Sequence, residues 1–135
     1  MRPVLTYNQT TQSVHVSVVP IYLESQSCPD NNSFVWAYHI CIENRGNQTL
    51  QLLARHWKIT DALGRVQEIR GGGVVGEQPI LHPGASFEYT SGVTLSLPSG
   101  IMAGEYQMQS SKGEAFDVVI PSFSLDCPYQ ARSIH

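Results

Sequence analysis

The residues most suggestive of chemistry in this 135-residue chain are three glycines. Gly71, Gly73 and Gly76 stand in GGGVVG and match G-x-G-x-x-G, a spacing that in dinucleotide-binding domains brings backbone amides and a helix N-terminus against a pyrophosphate. The flanks do not fit that use. Glu77-Gln78-Pro79 follow where a helix should open, and no βαβ unit surrounds the motif. Two readings remain. Free amides in the loop could hold a phosphate, pyrophosphate or nucleotide without a helix, or the glycines simply permit tight turning and close backbone approach between sheets.

The histidines His15, His39, His56, His82 and His135 form no H-x-H or H-x-x-x-H pair. His39, Cys41 and Glu43 alternate along one face of a strand at intervals of about 7 Å, which is wide for a shared ion. Magnesium would need several oxygen ligands, and no local acidic cluster supplies them. Direct divalent-cation binding is thus a minor alternative, and no metal or other cofactor is expected. Cys28, Cys41 and Cys127 are odd in number and lack C-x-x-C spacing, so they read as free thiols, with Cys41 a small packed hydrophobe. No G-x-S-x-G elbow occurs, and Asp30, Asp61, Asp117 and Asp126 scatter over turns and strand ends. No catalytic residues are therefore assigned, and the chain is expected not to be an enzyme. Arg55, His56 and Trp57 in sequence read first as a strand alternating between a core ring and a solvated cation, yet Arg55 and Trp57 are also the candidate partner surface, because Trp and Arg carry much interface energy.

The elements that must position these residues are strands. Apolar residues recur mostly at every second position, broken by Gly, Pro, Asn and Asp clusters. A first strand is expected from Val14 to Leu23, at an edge and bulged, because Pro20 cannot donate to a ladder. The exposed loop 26–33, QSCPDNNS, is expected to be mobile. Phe34 to Ile42 is the clearest strand, with Phe34, Trp36, Tyr38, Ile40 and Ile42 on one face, and belongs in the middle of a sheet. Leu50 to Thr60 changes parity near Leu52-Leu53, which a bulge would absorb. Further strands are expected at Val66 to Ile69, through Phe87 and Tyr89, and in a hairpin running from Glu105 to Leu125 with its tip at Lys112-Gly113. Pro83-Gly84 suits a type II turn, and Pro121 marks an edge or bulge. Seven or so short strands predict an antiparallel β-sandwich of fibronectin type III or immunoglobulin kind, without a disulfide.

Composition bounds the partners. With 41% hydrophobic and 14% charged residues the chain fits one domain, placed at 7–131 between short flexible termini. A formal charge of −3 gives no basic footprint for nucleic acid, and no apolar run nears the roughly 20 residues of a membrane span. The opening MRPVLTYNQTTQ lacks a signal-peptide core, so a cytoplasmic location is expected. A monomer is expected as well, on the ground that Pro20 and Pro121 protect sheet edges.

Four blocks carry a specific resemblance: His56-Trp57-Lys58-Ile59-Thr60, Gly71 to Pro79, Pro83 to Gly92, and Pro98 to Met108. Together they resemble the ApaG family, also called CorD, and the likeness runs from YLESQSCPDNNSFVWAYHICIEN to the closing Ser133-Ile134-His135. The resemblance implies a fibronectin type III-like sandwich. It also implies some connection with cobalt resistance and magnesium efflux, without implying that the domain binds ions. Related domains in eukaryotic F-box proteins and in a polymerase-delta-interacting protein imply a protein-recognition role with an unidentified partner. Leu81-His82-Pro83-Gly84 is similar to the stretch before the tyrosine corner of fibronectin type III domains. Phe87 offers no phenol there, which leaves Tyr89 as the possible substitute.

Overall fold

A computed structural model describes residues 5–128, and every statement about the structure concerns these. The upper limit of the expected domain at 131, residues 1–4 of the expected N-terminal segment, and the expected C-terminal segment with His135 lie outside the described residues. The strands are β1 (Tyr7–Thr11), β2 (Val14–Tyr22), β3 (Phe34–Asn44), β4 (Leu50–Asp61), β5 (Val66–Gly72), β6 (Ile80–Leu81), β7 (Ser86–Leu95), β8 (Ser99–Ser110) and β9 (Ala115–Asp126). One antiparallel sheet has the order β1-β2-β3-β7; the other runs β5-β4-β8-β9, with β6 added beside β4. The expected disulfide-free sandwich is the fold found, and Cys28, Cys41 and Cys127 are free thiols.

Alternation builds the core. Phe34, Trp36, Tyr38, Ile40 and Ile42 all point inward from β3, Trp36 being 1% exposed, and meet Trp57, Ile59, Met102, Tyr106 and Phe123 from the other sheet. Tyr38, Trp57 and Phe123 form a mutual aromatic cluster with ring centroids 5.4 to 6.0 Å apart, the offset and edge-on spacing that ring quadrupoles favour. The parity change in β4 is a bulge: the ladder to β8 skips Leu53, between Leu52 and Ala54, so that both Leu52 and Trp57 face the core. Pro121 sits in a second bulge on edge strand β9, opposite the step from Met102 to Gly104. Asp61 closes the β4–β5 hairpin by accepting the Leu63 and Arg65 amides, and Gly64 takes φ +81°. Pro83-Gly84 forms the expected turn, with Gly84 at φ +84° and the Ala85 amide donating to His82 O.

The first strand differs from expectation. β1 pairs with β2 from Tyr7↔Val18 to Thr11↔Val14, and β2 pairs with β3 in unbroken register. Thus β2 is internal and unbulged. Pro20 is accommodated because β1 stops two residues before it, leaving no strand on that side to receive an amide. β1 itself is YNQTT, a strand that no apolar alternation announces. Loop 26–33 is largely exposed, yet it follows one 3₁₀ turn, Glu24–Gln26, and contains another, Pro29–Asn31, closed by reciprocal Cys28 and Ser33 backbone bonds.

The two long flanks of the sandwich are closed unequally. At the β1/β9 flank the Val119 amide donates to Thr11 Oγ1 at 3.2 Å, and Tyr7 lies on Phe123 with ring centroids 6.1 Å apart. At the opposite flank β5 and β7 are both sheet edges and are not paired with each other. Ile69 shares the inward face with its partner Trp57 yet remains 36% exposed there.

Candidate functional site

The glycine-rich loop is a compact hairpin beside the open flank. Val74 and Glu77 exchange both backbone bonds around Val75 and Gly76, which take φ of +43° and +80°. Two successive positive φ values make a mirror-image turn of the type that asparagine and glycine favour, so Val75 is a strained occupant. Gly73, at φ +64°, donates its amide to Leu53 O, and a Cβ there would overlap the Glu77 carbonyl oxygen. Close backbone approach is therefore real, but it occurs within the hairpin, not between sheets. The amides of Gly73, Val74 and Glu77 are all spent inside the chain, which leaves few donors for an anion.

Arg55 and Trp57 take different places. Trp57 is 2% exposed and packed on Tyr38 and Phe123, so it belongs to the core and cannot contribute its ring to a partner surface. The strand's inward parity at this point is the reason. Arg55 shares that parity but lies near the open flank, where Nη1 donates to Gly72 O at 3.2 Å and to Gly73 O at 2.8 Å. Its guanidinium covers Gly71, so close that a Cβ on that glycine would lie 2.9 Å from Nη1. Arg55 thus ties the glycine loop to β4 and puts a cation beside it.

Across the core, Tyr89 of β7 and Tyr106 of β8 join the sheets through their hydroxyls, 2.6 Å apart. Burial drives both phenols well above their ordinary pKa of 10. Tyr89 thus reaches over to the opposite sheet, and its hydroxyl is engaged there instead of in a tyrosine corner.

His56 joins three strands of one sheet. It stands on the outer face of β4, with Nδ1 2.7 Å from Glu105 Oε1 on β8 and Nε2 2.7 Å from Glu68 Oε1 on β5. The Glu105 hydrogen bond, then that of Glu68, raises the pKa of the imidazole, while the His56 bond lowers that of Glu68. Arg70 lies 3.6 Å from Glu68 on the same face. With both ring nitrogens on carboxylates the histidine acts as a cationic cross-strand clamp, and neither nitrogen keeps a lone pair for a metal or a substrate proton while it is protonated.

The alternating row on β3 does share a face, as the strand period requires. His39, however, is held by Thr90 Oγ1 and Glu88 Oε1, each at 2.8 Å. Burial, then the charges of Glu88 and Glu43, raise the Cys41 thiol pKa, opposing formation of the nucleophilic thiolate. Among the described residues no group of three or more His, Cys, Asp and Glu side chains is placed to hold a metal ion.

The family model described as ApaG domain matches residues 24–110. Protein ApaG of Paramagnetospirillum magneticum is 59% identical over 124 residues, covering 92% of this chain and 95% of its own length. Protein ApaG of Parvibaculum lavamentivorans is 57% identical over 129 residues, covering 96% and 99%. A crystal structure of a Bordetella pertussis protein described as ApaA superposes with a TM-score of 0.84 at 46% identity, covering 93% of this chain and 98% of that one.

Proposed function

We propose that this chain, which belongs to the ApaG domain family, is a non-enzymatic binding module that engages an extended segment of a protein partner along the free edge of β7, in the cytoplasm. The observation that carries this reading is the unequal closure of the flanks. One side is sealed by β1 and β9, whereas β7 keeps an unpaired edge of ten residues containing no proline and no lysine. Such devices ordinarily blunt exposed edges. The Asn44 amide donates to Ala85 O and the register with β3 runs unbroken from Glu43↔Ser86, so Ser86, Glu88, Thr90, Gly92 and Thr94 direct their backbone groups outward. A strand added there gains main-chain hydrogen bonds and can read alternate side chains. A net charge of −3 argues for a protein over a nucleic acid. The connection with cobalt resistance and magnesium efflux implied by the family resemblance then runs through the partner.

The test is affinity capture from native lysate followed by rebinding of the purified partner. Thr90→Pro removes an outward amide while leaving the β3 ladder bonds in place. It should weaken rebinding at least about tenfold, the scale of one lost interface hydrogen bond. Equal binding by the variant would discard the edge as the partner site. A phosphate-bearing ligand at residues 71–76 is the alternative reading. Arg55 favours it, and the spent amides of Gly73, Val74 and Glu77 oppose it. Calorimetric titration with pyrophosphate, repeated on Arg55→Gln, decides between them.

A further inference from the structure

We propose that the β5 edge pairs antiparallel with β5 of a second copy of this chain, about a two-fold axis at Ile69. The phase of the ladder settles which backbone groups are available. Asp61 N donates to Arg65 O at one end of the β4–β5 pair and Gly73 N donates to Leu53 O at the other, with unbroken register between them. Odd-numbered residues of β5 therefore bond to β4, and Val66, Glu68, Arg70 and Gly72 direct their amides and carbonyls outward, the Gly72 carbonyl also accepting Arg55 Nη1 at 3.2 Å.

Charge then selects the register. A second β5 strand can satisfy those outward groups with the axis at Glu68, at Ile69 or at Arg70, registers further out pairing fewer residues. The axis at Glu68 sets that carboxylate against its own copy, and the axis at Arg70 does the same with two guanidinium groups. Like charges directly opposite are destabilising. The axis at Ile69 places Glu68 opposite Arg70 of the second copy, twice over, and Val66 opposite Gly72. Charges on an edge usually discourage pairing, but here their order excludes the neighbouring registers and permits one.

The surroundings suit this contact. His56 Nε2 orients the Glu68 carboxylate on the outer face, at 2.7 Å. Ile69 and Val66, 36% and 52% exposed, both lose water when a strand is added. VQEIRGG contains no proline, no lysine and no register shift against β4. The ground for expecting a monomer was proline protection, yet Pro20 lies within internal β2 and Pro121 lies on β9, at the flank away from β5. A seven-residue edge buries little area, so the dimer is weak. It is independent of the protein-partner reading, which uses β7.

Sedimentation equilibrium from micromolar to millimolar concentration tests the proposal. The wild-type chain should move toward dimer across that range. Glu68→Arg and Arg70→Glu, each alone, oppose like charges and should raise the dimer dissociation constant at least about tenfold. An equimolar mixture of the two variants opposes unlike charges again and should recover a heterodimer. Circular dichroism melts show that each variant is folded, and Arg70→Glu leaves the His56 clamp intact if Glu68→Arg does not fold. A wild-type monomer at every concentration, or a dimer indifferent to both reversals, overturns the proposal, and neither result bears on partner binding at β7.

Discussion

The hydroxyls of Tyr89 and Tyr106 lie 2.6 Å apart and join an edge strand of one sheet to an inner strand of the other. Each phenol satisfies its partner's polar atom in a place where water is excluded. Tyr89→Phe or Tyr106→Phe alone strands the remaining hydroxyl and should cost about 1–3 kcal/mol, whereas the double variant leaves nothing unsatisfied and should cost less than the sum. Urea denaturation of the four proteins checks this, and strict additivity would refute a coupled pair.

The same burial sets an alkaline limit. Raised folded-state phenol pKa values mean that the native state holds its protons longer than the unfolded chain, so the associated stability is complete below pH 10 and is lost as pH rises beyond it. Tyrosine absorbance should titrate in two groups, with Tyr89 and Tyr106 ionising only on unfolding. A single unfolding-independent transition near pH 10 would contradict the assignment.

His56 and Glu68 bound a pH window from its two sides. The raised imidazole pKa contributes stability that is full below the ordinary 6.5 and fades as pH rises through the folded value; the lowered Glu68 value contributes above 4.5 and fades as pH falls through its folded value. Their joint contribution should be greatest between those two pH values. NMR titration of the His56 ring should give a midpoint above 6.5, and His56→Gln should flatten the melting temperature profile across this range. A midpoint at or below 6.5 would mean that the clamp does not persist in solution.

Gly73 and Gly76 both have positive φ, but only Gly73 lacks room. Gly76→Ala meets no atom within 4 Å and should cost the backbone strain alone, about 1 kcal/mol. Gly73→Ala adds an overlap with the Glu77 carbonyl oxygen and should cost more, about 2 kcal/mol or above, with the hairpin displaced. Matched denaturation midpoints for the two variants would show that the loop yields freely.

Trp57→Ala should destabilise the fold by about 3–5 kcal/mol, because it empties a ring from between Tyr38 and Phe123. Arg55→Ala should cost far less and act locally, by releasing the carbonyls of Gly72 and Gly73. Thermal melts distinguish the two. A Trp57→Ala protein with unchanged stability would return the indole to the list of surface groups.

Period-two alternation by itself determined the sandwich, the central place of β3 and the bulge near Leu52-Leu53, and the backbone preferences of proline and glycine determined the turn at Pro83-Gly84. These are local consequences of which residues can be buried and which dihedrals they allow, so neighbouring residues suffice to decide them. The polar strand YNQTT had no such signal, because it is held by its ladder to β2 and by its side chains on β9. Pro20 gave β2 the look of an edge, because nothing local shows that β1 pairs with it and stops short of the proline. Trp57 was legible as a core ring, but the bonds of Arg55 to the Gly72 and Gly73 carbonyls were not. The clamp of His56 between Glu68 and Glu105, the Tyr89–Tyr106 bond and the open β5/β7 flank were equally hidden. Each joins residues at least 12 positions apart, or depends on which strands end up unpaired, and strand order and register exist only once the sheets have formed.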